Sequence, residues 1–367
     1  VRLLPVTSLQ PGMKLAKKIY NDEGLTLLSE NAELTSSLIR RLSELGLNQV
    51  YVADQLTEDI DIPEMISDET NRQAMHEIRH NFRKMMDTSM KGFVYPFLGK
   101  TFLKVVENIL DDLSSRENVM IMLMNINSTD QYLYRHSLNV CIYTILLGKV
   151  HGYSKDDLAI LGLGALLHDF GKTKISPALL MKPGKLTAAE FEIVKSHANI
   201  GYRLLKDEPG IPLLAAHCAL QHHERINGSG YPRGLHQHEI HDYAKWIGIA
   251  DSYDAMTTHR VYQTALLPHQ ASEMLYAGCG TLYEKEKLEI FRDHVAVYPL
   301  GITAKLSTGE RGVVVKINSD VPQRPVIRIF EDSYGQDVSA PYEIDLATQL
   351  SIVITQVEGS MMEMIYA

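Results

Sequence analysis

The stretch Leu158-Ala-Ile-Leu-Gly-Leu-Gly-Ala-Leu-Leu-His168-Asp169-Phe170-Gly171-Lys172 decides how this chain is read. Ten residues without a charge end abruptly in a histidine and an aspartate. Upstream, Ser154-Lys-Asp-Asp157 is a capping-box pattern, so the run opens as a helix and delivers His168 and Asp169 at its far end. An aspartate carried inward without a partner is costly, and the surrounding sequence must compensate it.

Working outward, other helical segments repeat the theme. His136 follows Leu133 and precedes Val140, at i−3 and i+4, on an apolar stripe. His197 shares a stripe with Val194, Gly201 and Leu204. His222-His223 closes a helix that starts at Leu213, and Asp251 lies on one face with Ile247 and Asp254. A single inward histidine is more often a hydrogen-bonded core residue than a ligand. Five histidines with two aspartates on five helices instead predict a polynuclear metal site inside a helical bundle. Mixed imidazole and carboxylate ligands suit Fe, Mn, Zn or Ni.

Composition sets bounds on this reading. The 367 residues are 45% apolar and 22% charged, ordinary for a globular chain of two or three domains. A formal net charge of −9 argues against DNA or an anionic membrane surface as partner. Cys141, Cys218 and Cys279 are scattered and odd in number, so no disulfide framework is implied. No apolar run approaches the ~18–20 residues needed to span a bilayer. The first residues lack a signal-peptide core, and a cytoplasmic location is expected.

Four regions are expected. Residues 1–60 read as a small α/β domain, with a turn at Asn21–Gly24 and a helix near Leu34–Leu45 stopped by Gly46. Residues 61–124 read as a helical connector broken near Gly92 and Pro96, either a dimerisation element or helices packed on the next domain. Residues 125–295 are helical throughout, with a second capping box at Thr187–Glu190. Residues 296–367 alternate as a β extension of three or four strands.

Two motifs carry a specific resemblance. His168-Asp169-Phe-Gly-Lys172 resembles the HD doublet of the HD hydrolase superfamily, and His222-His223-Glu224-Arg225-Ile-Asn227-Gly228-Ser-Gly230-Tyr231-Pro232 resembles the HHExxxGxGYP signature of the HD-GYP family. The flanks Asp130–Ser137, Lys182–Thr187 and Ile249–Met256 agree, and together the matches cover residues 125 to 290. Residues 1–55, with Leu9-Gln-Pro-Gly-Met13, resemble the small domain that often precedes HD-GYP domains. The resemblance implies a mainly α fold, an all-α HD-type bundle flanked by the α/β domain and the β extension.

It further implies hydrolysis of a cyclic dinucleotide, cyclic di-GMP or the hybrid cyclic GMP-AMP, to the linear form and on to mononucleotides. His136, His168, Asp169, His197, His222, His223 and Asp251 become the expected ligands of two divalent ions, Fe or Mn first, with Asp169 bridging. Some members carry a Glu for a third metal where this chain has Tyr132. Lys172 would face the scissile phosphate. The proton for the leaving oxygen would come from metal-bound water or from Asp254. Arg225, Gly230, Tyr231, Pro232 and Arg260 are expected near the substrate. Asn227 and Gln263 depart from the family pattern, the latter where many members have a basic residue. A homodimer and a signalling partner at the Gly-Tyr-Pro loop are further expectations. Two other functions compete: a cyclic-dinucleotide sensor of weak activity, which degenerate ligands would betray, and another HD-superfamily nucleotide phosphohydrolase, which would not need the second motif.

Overall fold

A computed structural model describes residues 1–20, 25–45, 47, 49–62, 64–86, 98–114, 132–258 and 265–358. The chain begins with β1 (Arg2–Pro5), β2 (Ile19–Tyr20), β3 (Thr26–Leu28), helix α1 (Ser36–Glu44) and β4 (Gln49–Val52). β1 pairs with β4 and β2 with β3, both antiparallel. Thr35 caps α1 by accepting the Leu38 amide, and Leu42 joins Leu4, Leu15 and Val50 in a small core. The expected turn at 21–24 and the stop at Gly46 lie outside the described residues.

Helices α2 (Asp68–Met86) and α3 (Leu98–Ser114) pack together and against the helical body. Ile78, Phe82, Phe102, Val106 and Ile109 are buried in one core with residues of the later helices. The Phe82 ring meets Tyr134 and Phe170 edge-on, with centroids 5.8 and 5.0 Å apart. The connector is therefore a wall of the helical body. Gly92 and Pro96 lie outside the described residues.

The body continues with α4 (Tyr132–His151), α5 (Lys155–Leu167), α6 (Pro177–Leu180), α7 (Ala188–Lys195), α8 (His197–Leu205), α9 (Leu213–Gln221), α10 (Asp242–Thr257), α11 (Pro268–Ala277) and α12 (Lys285–His294). α4 is apolar around most of its circumference, which suits a helix enclosed by α5 on one side and α10 on another. Both predicted capping boxes are formed, Ser154 with Asp157 at α5 and Thr187 with Glu190 at α7. The mainly α class expected from the sequence is the class observed.

Between α5 and α6 the chain makes a tight 3-10 turn, Phe170–Lys174, that lies on the first turn of α8. Gly171 allows this approach: a Cβ there would stand 2.0 Å from the His197 carbonyl oxygen and 2.6 Å from the Gly201 nitrogen. The contact sets Asp169 beside His197.

The C-terminal strands β5 (Thr303–Leu306), β6 (Arg311–Lys316), β7 (Val326–Glu331), β8 (Asp337–Asp345) and β9 (Ile354–Val357) form one antiparallel sheet in the order β8-β7-β6-β5-β9. Five strands replace the expected three or four. The strand missed by sequence reading is β8, which is largely exposed and carries Pro341, as an edge strand can. This sheet shares a core with the N-terminal unit: Leu3, Tyr51, Ile60 and Ile62 pack with Ile302, Ile327 and Ile329. The Leu3 amide donates to the Gly301 carbonyl at 2.8 Å, and Arg328 grips Asp59 with two hydrogen bonds of 2.6 and 2.7 Å.

Replacing Gly171 with alanine forces the turn off α8. We expect Gly171→Ala to lower unfolding free energy by about 1–3 kcal/mol, as overpacking does, measured by urea unfolding against the parent chain.

Candidate metal centre

α5 ends at His168, and the His168 ring donates through Nδ1 to the Ala165 carbonyl at 2.6 Å. His197 does the same to Val194 at 2.6 Å, and His222 to Ala219 at 3.0 Å. Carbonyl oxygens only accept, so each neutral ring keeps its proton on Nδ1 and turns a bare Nε2 inward. A ligand imidazole needs this tautomer, and helix geometry supplies it through carbonyls three residues back.

The inward atoms form two sets. Donor atoms of Asp169, His197, His222 and His223 lie within 4.8 Å of one another, as do those of His136, His168 and Asp251. Asp169 touches both. Its Oδ1 is 3.4 Å from His197 Nε2 and 3.8 Å from His222 Nε2. Its Oδ2 is 3.4 Å from His168 Nε2 and 3.6 Å from His136 Nε2. Asp251 spans similarly, with Oδ1 at 3.1 Å from His136 Nε2 and Oδ2 at 3.7 Å from His223 Nδ1.

The protonation states suit cation binding. Burial pushes His197 down to about 4. Burial also holds His222 and His223 well below the usual histidine range, and neighbouring imidazoles add to it. For Asp169 burial acts upward, yet Lys172 and His168 hold its carboxyl well below the usual range. Asp251 is likewise lowered against burial, by its hydrogen bond to His136 and by His223. At neutral pH the set therefore includes two carboxylates and the neutral imidazoles of His197, His222 and His223.

Two details show that these residues fit divalent cations. His168 Nε2 and Asp169 Oδ1 are buried without a hydrogen-bond partner, which is costly unless something else satisfies them. His197 Nε2 and His222 Nε2 also face each other at 3.3 Å, lone pair towards lone pair. A cation relieves both.

The open side of the cluster is marked by Lys172 and His223, whose side chains are 17% and 18% exposed. Lys172 Nζ donates to Asp169 Oδ2 at 2.5 Å. Tyr231 stacks on His223 with centroids 4.5 Å apart, and Gly230 lies flat on the 223–225 backbone, where a Cβ would meet Arg225 N at 2.4 Å. Pro232 follows a cis peptide bond. Asn227, the departure from the family pattern, still accepts from the Ser229 amide at 3.0 Å.

Other expected site residues are placed differently. Asp254 is fully buried behind His136: its Oδ2 pairs with His136 Nδ1 at 2.6 Å, and its Oδ1 accepts from Asn139 at 3.0 Å. It stands on the Nδ1 side of His136, away from the cluster, so it orients that ring and, contrary to the expectation of a proton donor, does not face the cluster. Arg225 is spent on structure. It donates to the carbonyls of His222 and Glu224 at 3.1 and 2.8 Å, reaches Ser252, and lies over the Tyr283 ring. Arg260 and Gln263 lie outside the described residues.

Sequence reading missed three contributors. Asn139 supports Asp254. Buried Glu224 accepts from the Arg233 and Leu235 amides at 2.8 and 2.9 Å and so closes the Gly-Tyr-Pro loop. Lys195 sits over Phe191 and Tyr231, 4.8 and 5.6 Å from their centroids. Its i,i+4 spacing from Phe191, just before His197, was the available signal.

Comparison with known proteins places this geometry. Residues 119–286 match the family model described as HD domain, and residues 303–360 match a KOW domain associated with HD domain. Residues 119–286 are thus similar to an HD domain. The chain is 32% identical over 226 residues to a cyclic di-GMP phosphodiesterase of Pseudomonas aeruginosa, covering 62% of this chain and 54% of that one. A cyclic di-GMP phosphodiesterase of Thermotoga maritima is 33% identical over 220 residues, covering 60% and 58%. A 3'3'-cGAMP-specific phosphodiesterase of Vibrio cholerae is 35% identical over 161 residues, covering 44% and 35%. The chain thus spans little more than half the length of the first two relatives.

Two outcomes test the centre. Asp254→Asn weakens the hold on His136, and metal affinity should fall about 10- to 100-fold, read as metal content after dialysis against buffered metal. Burial works against protonation of His136, but Asp251 and Asp254 carry its pKa up to about 9. A metal must displace that proton, so affinity should tighten as pH rises from 6 towards 9, measured by competition with a chelator of known pH dependence.

Proposed function

We propose that this chain is a metal-dependent phosphodiesterase that hydrolyses a cyclic dinucleotide to its linear form. The observation that carries the reading is Asp169, whose two oxygens address two separate imidazole sets beside a lysine at the mouth. The names of the relatives support the substrate class, with cyclic di-GMP first and 3'3'-cGAMP second. We assign two divalent ions, Fe or Mn, to His136, His168, Asp169, His197, His222, His223 and Asp251. Bound there, such cations supply Lewis acidity and lower the pKa of water.

The chain's own residues do the rest. Lys172 stands where a non-bridging phosphate oxygen would enter and offsets its charge. Asp254 keeps His136 aimed inward. Tyr231, fixed on His223 by Gly230 and Glu224, forms with Phe191 and Lys195 an aromatic and cationic rim for a base and its phosphate. With Asp254 turned away, the leaving 3′ oxygen takes its proton from solvent at the open side. We retain 1–60, 61–124, 125–295 and 296–367 as the working division of the chain. No helix among the described residues is long and apolar enough to cross a membrane; a cytoplasmic location goes with the proposal.

The test uses the full chain loaded with Mn or Fe and supplied with cyclic di-GMP, 3'3'-cGAMP or ordinary nucleotides, with products separated by chromatography. Linear dinucleotide should accumulate. Lys172→Ala should lower kcat by about 10²–10³, and His168→Ala with Asp169→Ala should abolish turnover. Undiminished turnover in a folded double variant, or hydrolysis confined to mononucleotides, would overturn the proposal.

A further inference from the structure

Apart from the His/Asp centre, a groove of about 1290 Å³ runs between α2 and α3. Six cations line it: Arg72, Arg79, Arg83 and Lys84 from α2, Lys100 and Lys104 from α3. Glu77 is the sole carboxylate in the lining among the described residues. Such a concentration is unexpected in a chain of net charge −9. Arg72 has Glu69 beside it and Lys104 has Glu107 at 3.9 Å, both on the exposed surface. Pairs of that kind contribute little and are readily exchanged. Arg83, Lys84 and Lys100 have no carboxylate partner among the described residues.

Between the cations, His76 and His80 lie parallel one turn apart, with centroids 6.0 Å apart. The opposite face of α2 is fixed: Phe82 packs on Phe102, Phe170 and Tyr134, and Asn71 accepts from Arg135. The groove is thus a preformed concavity with cationic walls and aromatic rings between them. Its size reaches past the usual range for small-ligand sites, about 300–1,000 Å³.

We propose that this groove binds a nucleoside polyphosphate. Several phosphate charges are needed to match Arg83, Lys84 and Lys100 together with the exchangeable Arg72 and Lys104, and the imidazole strip offers a surface for the base. A lipid surface is flat where this site is concave. A nucleic-acid duplex would bring its phosphates against the rest of an acidic molecule.

Binding of ATP to the full chain in EDTA, followed by calorimetry at low salt, tests the proposal without involving the metal centre. ATP should bind, and adenosine should not. Arg83→Glu with Lys100→Glu should weaken ATP at least about ten-fold, since each charge-assisted contact is worth more than that factor. Arg83→Lys with Lys100→Arg should retain it. Asp169→Ala should leave ATP affinity unchanged. Lys84→Glu with Lys104→Glu repeats the loss should the first pair fail to fold. Equal ATP affinity in the charge-reversed and parent chains overturns the site. No ATP binding, or anionic lipid vesicles preferred over ATP, does the same, and inorganic triphosphate binding as tightly as ATP overturns the nucleoside assignment.

Discussion

The carboxylate of Asp169 is buried among imidazoles, and much of the surrounding architecture answers that one constraint. A carboxylate removed from water needs positive charge close by. Lys172, three residues on, supplies one, and the cluster of inward nitrogen atoms prepares for more. Those nitrogens face inward because backbone carbonyls three residues back hold the opposite ring atoms. The geometry arises from helix ends.

Holding that constraint requires close backbone packing. The turn after Asp169 lies on α8 where only glycine fits, and the next side chain, Phe170, is fixed by Phe82 from α2. Arg135, beside His136, reaches Asn71 on the same helix. The connector helices therefore buttress the turn after Asp169 and the start of α4, although among the described residues they add no side chain to the cluster. At the other end, the N-terminal strands and the C-terminal sheet are stitched together through Leu3, Ile302, Asp59 and Arg328.

The second motif shows how a signature can be mostly structural. Of His222 to Pro232, only the two histidines face the cluster directly. Glu224 gathers the amides of Arg233 and Leu235, Arg225 satisfies carbonyls at the end of α9, and Gly230 lets the loop lie on that backbone. Their combined effect is to place Tyr231 on His223. Arg225, expected near the substrate, has its donors taken up by the carbonyls of His222 and Glu224 and by Ser252.

From sequence alone the chain disclosed its helical class, both capping boxes and all seven residues that converge, because periodicity 3.6 reports which side of a helix faces inward. Periodicity says nothing about what stands behind a side chain. Tertiary packing alone decided that Asp254 orients His136, that Lys195 stands over Tyr231, and that cations of α2 and α3 share one groove, since those partners come from segments up to 118 residues apart. It also decided the fifth strand, β8, where Pro341 interrupts the alternating Val338, Ala340, Tyr342 and Ile344 and most of the strand stays exposed.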